Sequence, residues 1–152
     1  MQHQVANDIL IPEIDQLLRE GHEVRFTPTG VSMRPYIEGG HDSVILRHLD
    51  RPARRGDILL AKTYIADGTE TYVLHRVRRI GKDGIILQGD GNLRGEERVS
   101  PEDVIGIVVR IERPNGRRKP LTRGLLWPRS PWLRHWLLKI YRHTLLKMII
   151  DK

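Results

Sequence analysis

Three short segments carry residues that could do chemistry together. The first, Thr27-Pro28-Thr29-Gly30-Val31-Ser32-Met33-Arg34-Pro35, sets a serine in a tight turn. Gly30 lets the backbone approach a ligand closely, and Pro35 disfavours helix at Arg34. A serine hydroxyl attacks a carbonyl at neutral pH only when a neighbouring base takes its proton; without one, Ser32 merely caps a loop. The second segment, Tyr72-Val73-Leu74-His75-Arg76-Val77, offers a candidate base. On a strand, His75 shares a face with Val73 and Val77, while Leu74 and Arg76 point the other way. A histidine so placed is either a hydrogen-bonded core residue or a general base held in a fixed orientation. The third is Gly89-Asp90-Gly91-Asn92, followed by Glu96-Glu97-Arg98. It reads as a polar turn with a surface ion pair, or as the source of a carboxylate that orients the imidazole and stabilises its protonated form.

Other chemistries find little support. The chain has no cysteine, which removes disulfides, thiolate metal sites and cysteine nucleophiles. Its seven histidines (3, 22, 41, 48, 75, 135, 143) form no His-x-x-x-His or His-Glu-x-x-His arrangement, so no metal site is expected. The glycine-rich pieces lack the strand–glycines–helix context of a phosphate loop, and no cofactor is expected. His41-Asp42-Ser43 contains the letters of a catalytic triad, but consecutive residues on a strand cannot converge on one reacting atom.

The elements that must position these residues are mostly strands. Pro12–Glu20 reads as a short helix, with Pro12 in its first turn, Ile14, Leu17 and Leu18 on one face and Gly21 as its stop. Beyond Glu23 the spacing predicts strands over Val24–Thr29, Ser43–His48, Asp57–Tyr64, Thr71–Ile80, Gly84–Gln88 and Val104–Glu112, with a long loop over Gly89–Pro101. No helical pattern separates them, which favours a mainly β, antiparallel, ribbon- or barrel-like domain over βαβ units. Pro131 then opens a closing helix. With 152 residues the chain is one ordinary domain plus an appended element. It divides into an N-terminal helical segment (1–22), a β domain (23–113), a linker (114–130) and a C-terminal helix (131–152).

Gly-x-Ser-Met-x-Pro, Gly-Asp before a hydrophobic strand, His-Arg-Val, and Gly-Asp-x-Asn with acid-acid-Arg occur here in that order. Over residues 24–112 this resembles the signal peptidase I clan of serine peptidases, which also contains the self-cleaving LexA-type repressors. A histidine followed by Arg-Val is the pattern of the endoplasmic-reticulum and archaeal type. The resemblance implies that Ser32 is the nucleophile, His75 the general base and Glu97, or else Glu96, its acidic orienter. Gly30, Met33, Arg76 and Asp90 fall in supporting positions, Asp90 being an alternative orienter. Backbone N–H groups around Ser32 would hold the oxyanion. Three details depart from the signal peptidases: glycine stands at position 30 where they have a serine, the orienter is a glutamate in a loop one residue longer, and no N-terminal membrane anchor is expected. The implied function is a serine endopeptidase that removes a signal or leader peptide without a cofactor. The alternatives are a catalytically idle peptide-binding adaptor and a self-cleaving regulatory domain.

Charge is unevenly spread. Residues 113–152 carry eleven Lys/Arg and one acid, a net +10 within a chain of net +7, and all three tryptophans. The body is therefore slightly acidic and the tail strongly basic, which points to an anionic partner. On a helix, Leu133, Trp136, Leu137, Ile140, Tyr141, Leu145 and Met148 form an apolar face opposite His135, Lys139, Arg142 and His143. That composition suits a helix lying on anionic lipid; the rival is a helix folded back on the β body with Trp132 and Trp136 buried. No nucleic-acid motif is present, so the expected partners are a peptide or preprotein substrate and an anionic membrane surface. With no apolar run of about 18 residues and no secretion signal, the expected location is the cytoplasm, with or without attachment at the inner membrane surface.

Overall fold

A computed structural model describes residues 7–121 and 130–150. It contains helix α1 (Asn7–Arg19), strands β1 (Val24–Phe26), β2 (Ser43–Arg47), β3 (Ile58–Tyr64), β4 (Glu70–Gly81), β5 (Gly84–Gln88), β6 (Glu97–Val99), β7 (Val104–Glu112) and β8 (Arg118–Lys119), and helix α2 (Pro131–Ile150). The fold is mainly antiparallel β. One sheet runs in the order β1-β2-β7-β3-β4-β5-β6. β3 lies along the first half of β7, and β8 pairs with Ile111 and Glu112 on the edge that β3 leaves free.

Alternation along the strands sends side chains to two cores, one on each face. Ile58, Leu60 and Leu74 join Val44, Leu46, Ile105 and Ile111 beneath α1, whereas Leu59, Ala61, Val77, Ile85, Leu87 and Val99 form the second cluster. α1 reaches the first core through Ile11, Ile14 and Leu18, spaced one turn apart on one face. It sits close: a Cβ on Gly106 of β7 would stand 2.6 Å from Leu18 Cδ1. Its end is a Schellman motif, in which the N–H groups of Gly21 and His22 bond the carbonyls of Leu18 and Leu17 and Gly21 takes φ +91°.

α1 begins earlier than the Pro12 start expected from sequence, and Leu17 is exposed rather than packed. Burial of Ile11 in the core holds the extra turn in place although Pro12 lacks an N–H there. The expected loop over 89–101 ends in a strand, since Glu97–Val99 pairs with Ile85–Leu87. Within the expected linker Arg118–Lys119 forms β8, and Lys119 donates to Asp42 (2.5 Å) and to the Tyr36 carbonyl (3.0 Å). No helix among the described residues is long and apolar enough to cross a membrane.

Candidate active site

Ser32 sits in the connection between β1 and β2. The base of that connection closes where Gly40 N–H meets the Pro28 carbonyl at 2.7 Å. Glycine is required at both sides of it: Gly30 has φ +87°, and a Cβ on Gly39 would stand 2.0 Å from the Gly30 carbonyl oxygen. Gly30 therefore serves the packing of the loop on itself. Beyond it, Arg34 and Ile37 N–H groups bond the Val31 and Met33 carbonyls, and Met33 and Ile37 are buried in the first core. The half-buried Ser32 is thus carried on an anchored turn.

His75 lies on β4 opposite Leu59 and is 5 % exposed. Its partner follows from the strand register. Val77 pairs with Leu87 and Leu87 pairs with Glu97, so Glu97 occupies the sheet face shared by Val77 and His75. From there Glu97 Oε2 reaches His75 Nδ1 at 2.7 Å. With Glu97 ionised, Nδ1 is the donor of this bond, and a neutral imidazole then carries its lone pair on Nε2. A Cβ on Gly89 would stand 2.3 Å from the Ser32 carbonyl oxygen and 3.1 Å from His75 Nε2, so both atoms border the same glycine. Gly91 N–H also bonds the Ser32 carbonyl at 2.8 Å. Ser32 and His75 line one cleft of about 160 Å³, whose apolar lining includes Ile11, Phe26, Met33, Ile37, Leu60 and Leu74.

The remaining candidate residues divide between support and surface. Asp90, 1 % exposed, accepts a fork from Arg76 at 2.9–3.1 Å, on the side of the sheet away from the imidazole. Burial pushes the Asp90 carboxyl above its ordinary value, and the Arg76 guanidinium works against that shift. Arg76 also donates to the Gly56 and Leu121 carbonyls and lies 5.5 Å over the Tyr36 ring. The pair ties the Gly89–Asn92 loop to β4. Glu96 faces Arg79 at 3.4 Å in an exposed pair. In the His41-Asp42-Ser43 run, Asp42 holds Lys119 and the Glu38 N–H while Ser43 meets Thr27, so those residues do not converge.

Comparison with protein-family models, with curated proteins and with solved structures finds no match. The site has to be read from its own atoms.

One participant was not signalled by the motifs. Arg134 of α2 is 1 % exposed and donates to Gln88 Oε1 (2.8 Å), the Gly89 carbonyl (2.9 Å) and the Asp90 carbonyl (2.8 Å). Burial, and secondarily the nearby Arg78, hold its guanidinium below the usual arginine value. Two turns further along the helix, Tyr141 donates to Glu38 at 3.3 Å, which itself accepts a fork from Arg34. α2 thus fastens both loops of the site, the one with Gly89 and the one with Ser32. Its docking differs from the folded-back arrangement expected from sequence, in which Trp132 and Trp136 are buried. The helix is packed on the body, yet Trp132 and Trp136 remain exposed, because Arg134 and Tyr141 take the inward side and Leu137 and Leu138 are half-buried beside them. The expected apolar face is split, with Leu133, Trp136 and Ile140 outward; the side chains of Leu145 and Met148, and all of Trp127, lie outside the described residues. Among the described residues no group of three or more His, Asp or Glu is arranged to hold a metal ion.

Proposed function

We propose that this chain is a serine endopeptidase in which His75 activates Ser32 and Glu97 orients His75, cutting a leader or signal peptide whose residue next to the scissile bond is small and apolar. The observation that carries this reading is the imidazole held at Nδ1 by Glu97, with His75 and Ser32 lining one cleft and both bordering Gly89. In the reaction, Ser32 Oγ attacks the peptide carbonyl as its proton passes to His75 Nε2, and the same proton then goes to the leaving amine. Glu97 stabilises the imidazolium formed between the two steps. Arg34 N–H is taken by Val31, so the donors that this turn offers to the oxyanion are the Ser32 and Met33 N–H groups. Thr29 lines the same cleft, and its hydroxyl is the candidate for the donor that glycine at position 30 lacks. The aliphatic part of the lining suits a small apolar side chain.

The test is cleavage of a peptide library by the purified full chain, with products read by mass spectrometry. Cuts clustered after small apolar residues are expected, lost in both Ser32→Ala and His75→Ala, because nucleophile and base act as a unit. Cleavage that survives Ser32→Ala would end this reading.

A further inference from the structure

We propose that the outward face of α2 docks on an anionic phospholipid surface. The rotation of the helix is set from inside by Arg134 and Tyr141, seven residues apart on one face. The opposite face therefore points away from the body, and it carries Trp132, Trp136 and Ile140 at four-residue intervals, 70 %, 49 % and 56 % exposed, with Leu133 alongside. The two indoles meet edge to face with centroids 6.4 Å apart. His135, Lys139 and Arg142 are exposed along one flank of that stripe, and Lys139 Nζ lies 5.9 Å over the Trp136 ring.

Mixing of indole rings with cations on one face selects the partner. A folded protein covering this face would strip water from three or four basic side chains, which is unfavourable unless carboxylates are placed to meet each of them. A headgroup layer meets both needs at once. Indoles settle at the boundary between acyl chains and water, while lysine and arginine stems extend to the phosphates. The charge distribution favours the same encounter, since the net +10 of residues 113–152 is set against a body of net negative charge and turns this end toward an anionic surface. Val31 and Leu93, on the two segments that meet at Gly91, are also exposed apolar residues and would lie on the rim of the cleft facing a tethered peptide.

Docking is measured without any cleavage, so this proposal stands or falls separately from the peptidase reading. The full chain carrying Trp127→Phe, in which emission comes from Trp132 and Trp136, is titrated with vesicles of phosphatidylglycerol and, separately, phosphatidylcholine. With the anionic vesicles the emission shifts to the blue and is quenched by lipids brominated high on the acyl chain, and partition coefficients of all variants are read by co-sedimentation with the vesicles. Raising salt from about 0.01 M to about 1 M, which shortens the Debye length from about 30 Å to about 3 Å, reverses the shift. Lys139→Glu and the pair Trp132→Ser with Trp136→Ser, all on exposed side chains, each lower the partition coefficient about tenfold or more with an unchanged circular dichroism spectrum. Equal binding to both vesicle types, or none to either, overturns the proposal. So does a blue shift produced by RNA or by self-association in place of lipid.

Discussion

Replacing Arg134 with methionine keeps the bulk of the side chain and removes the guanidinium that ties α2 to the Gly89–Asp90 loop. Two of its three hydrogen bonds go to backbone carbonyls of that loop. Charge-assisted bonds contribute about 1.5–3 kcal/mol each, so the low end for two is about 3 kcal/mol. Part of this is offset, because the variant no longer buries a charge whose Nε finds no acceptor within hydrogen-bonding reach. A net of about 2 kcal/mol remains for local opening of the loop, which is roughly a 30-fold change in an equilibrium constant. Amide hydrogen exchange reads this directly at Gly91, whose N–H bonds the Ser32 carbonyl at 2.8 Å. Protection at Gly91 should fall about 30-fold in Arg134→Met and recover in part in Arg134→Lys, while amides in the centre of β3 keep theirs. Peptide cleavage should fall by a similar factor, chiefly in kcat, since Gly89 is the residue packed between Ser32 and His75 Nε2. If only the amides of α2 lose protection and Gly91 does not, Arg134 anchors the helix and has no part in positioning the site. If Gly91 becomes better protected, burying the charge costs more than its bonds return.

Other changes separate the roles of the buried acids and of the close contacts. Glu97→Gln should lower turnover by about two orders of magnitude or more with stability little changed, whereas Asp90→Asn should chiefly lower the midpoint of chemical unfolding by leaving Arg76 buried without its partner. The reverse pattern in turnover would make Asp90 the orienter. Gly89→Ala places a methyl group where the Ser32 carbonyl and His75 Nε2 already stand, so kcat should collapse at an unchanged fold, read by cleavage and by circular dichroism. Burial, and then the Glu38 carboxylate, push the Tyr141 phenol up from 10.0 to about 12. The folded chain therefore holds a proton that the unfolded chain releases, and Tyr141 contributes stability that is present below pH 10 and lost as pH rises toward about 12. Denaturation of Tyr141→Phe should depend less on pH across that window; an identical slope would remove Tyr141 from the alkaline transition.

Much of this arrangement was legible where residue type and period agree. Gly84–Gln88 and Val104–Glu112 are runs of β-branched and aliphatic residues bounded by turn residues, and both strands begin and end where the sequence predicts. The period-2 reading of β4 also places His75 with Val73 and Val77, beside the second core. Glu97 was readable as an acid near the end of a loop, but β6 was not: two of its three residues are charged, and only pairing with Ile85–Leu87 makes it a strand. Its register decides between Glu96 and Glu97, and register is a long-range property. Arg134 was passed over because a cation on an amphipathic helix is assigned to water by default. A signal did exist, since Leu137, Leu138 and Tyr141 follow it at +3, +4 and +7 and place it on an inward side. The early start of α1 depends on Ile11 finding the core, which local preference at Pro12 cannot anticipate.

The place of β7 in the sheet has a consequence for the order in which the molecule is made. β3 to β6 pair with near neighbours along the chain, so His75 and Glu97 can be brought together by residues 58–99 alone. β1 and β2, which flank Ser32, join that sheet only through β7, whose Ile107–Glu112 spans pair with Ser43–Arg47. Closing that long loop carries an entropic cost and cannot precede the synthesis of its last strand. A growing chain can therefore bring His75 to Glu97 before Ser32 has its place beside them. Ser32 joins them only after residue 112 has been made, and Arg134 adds its contacts later still.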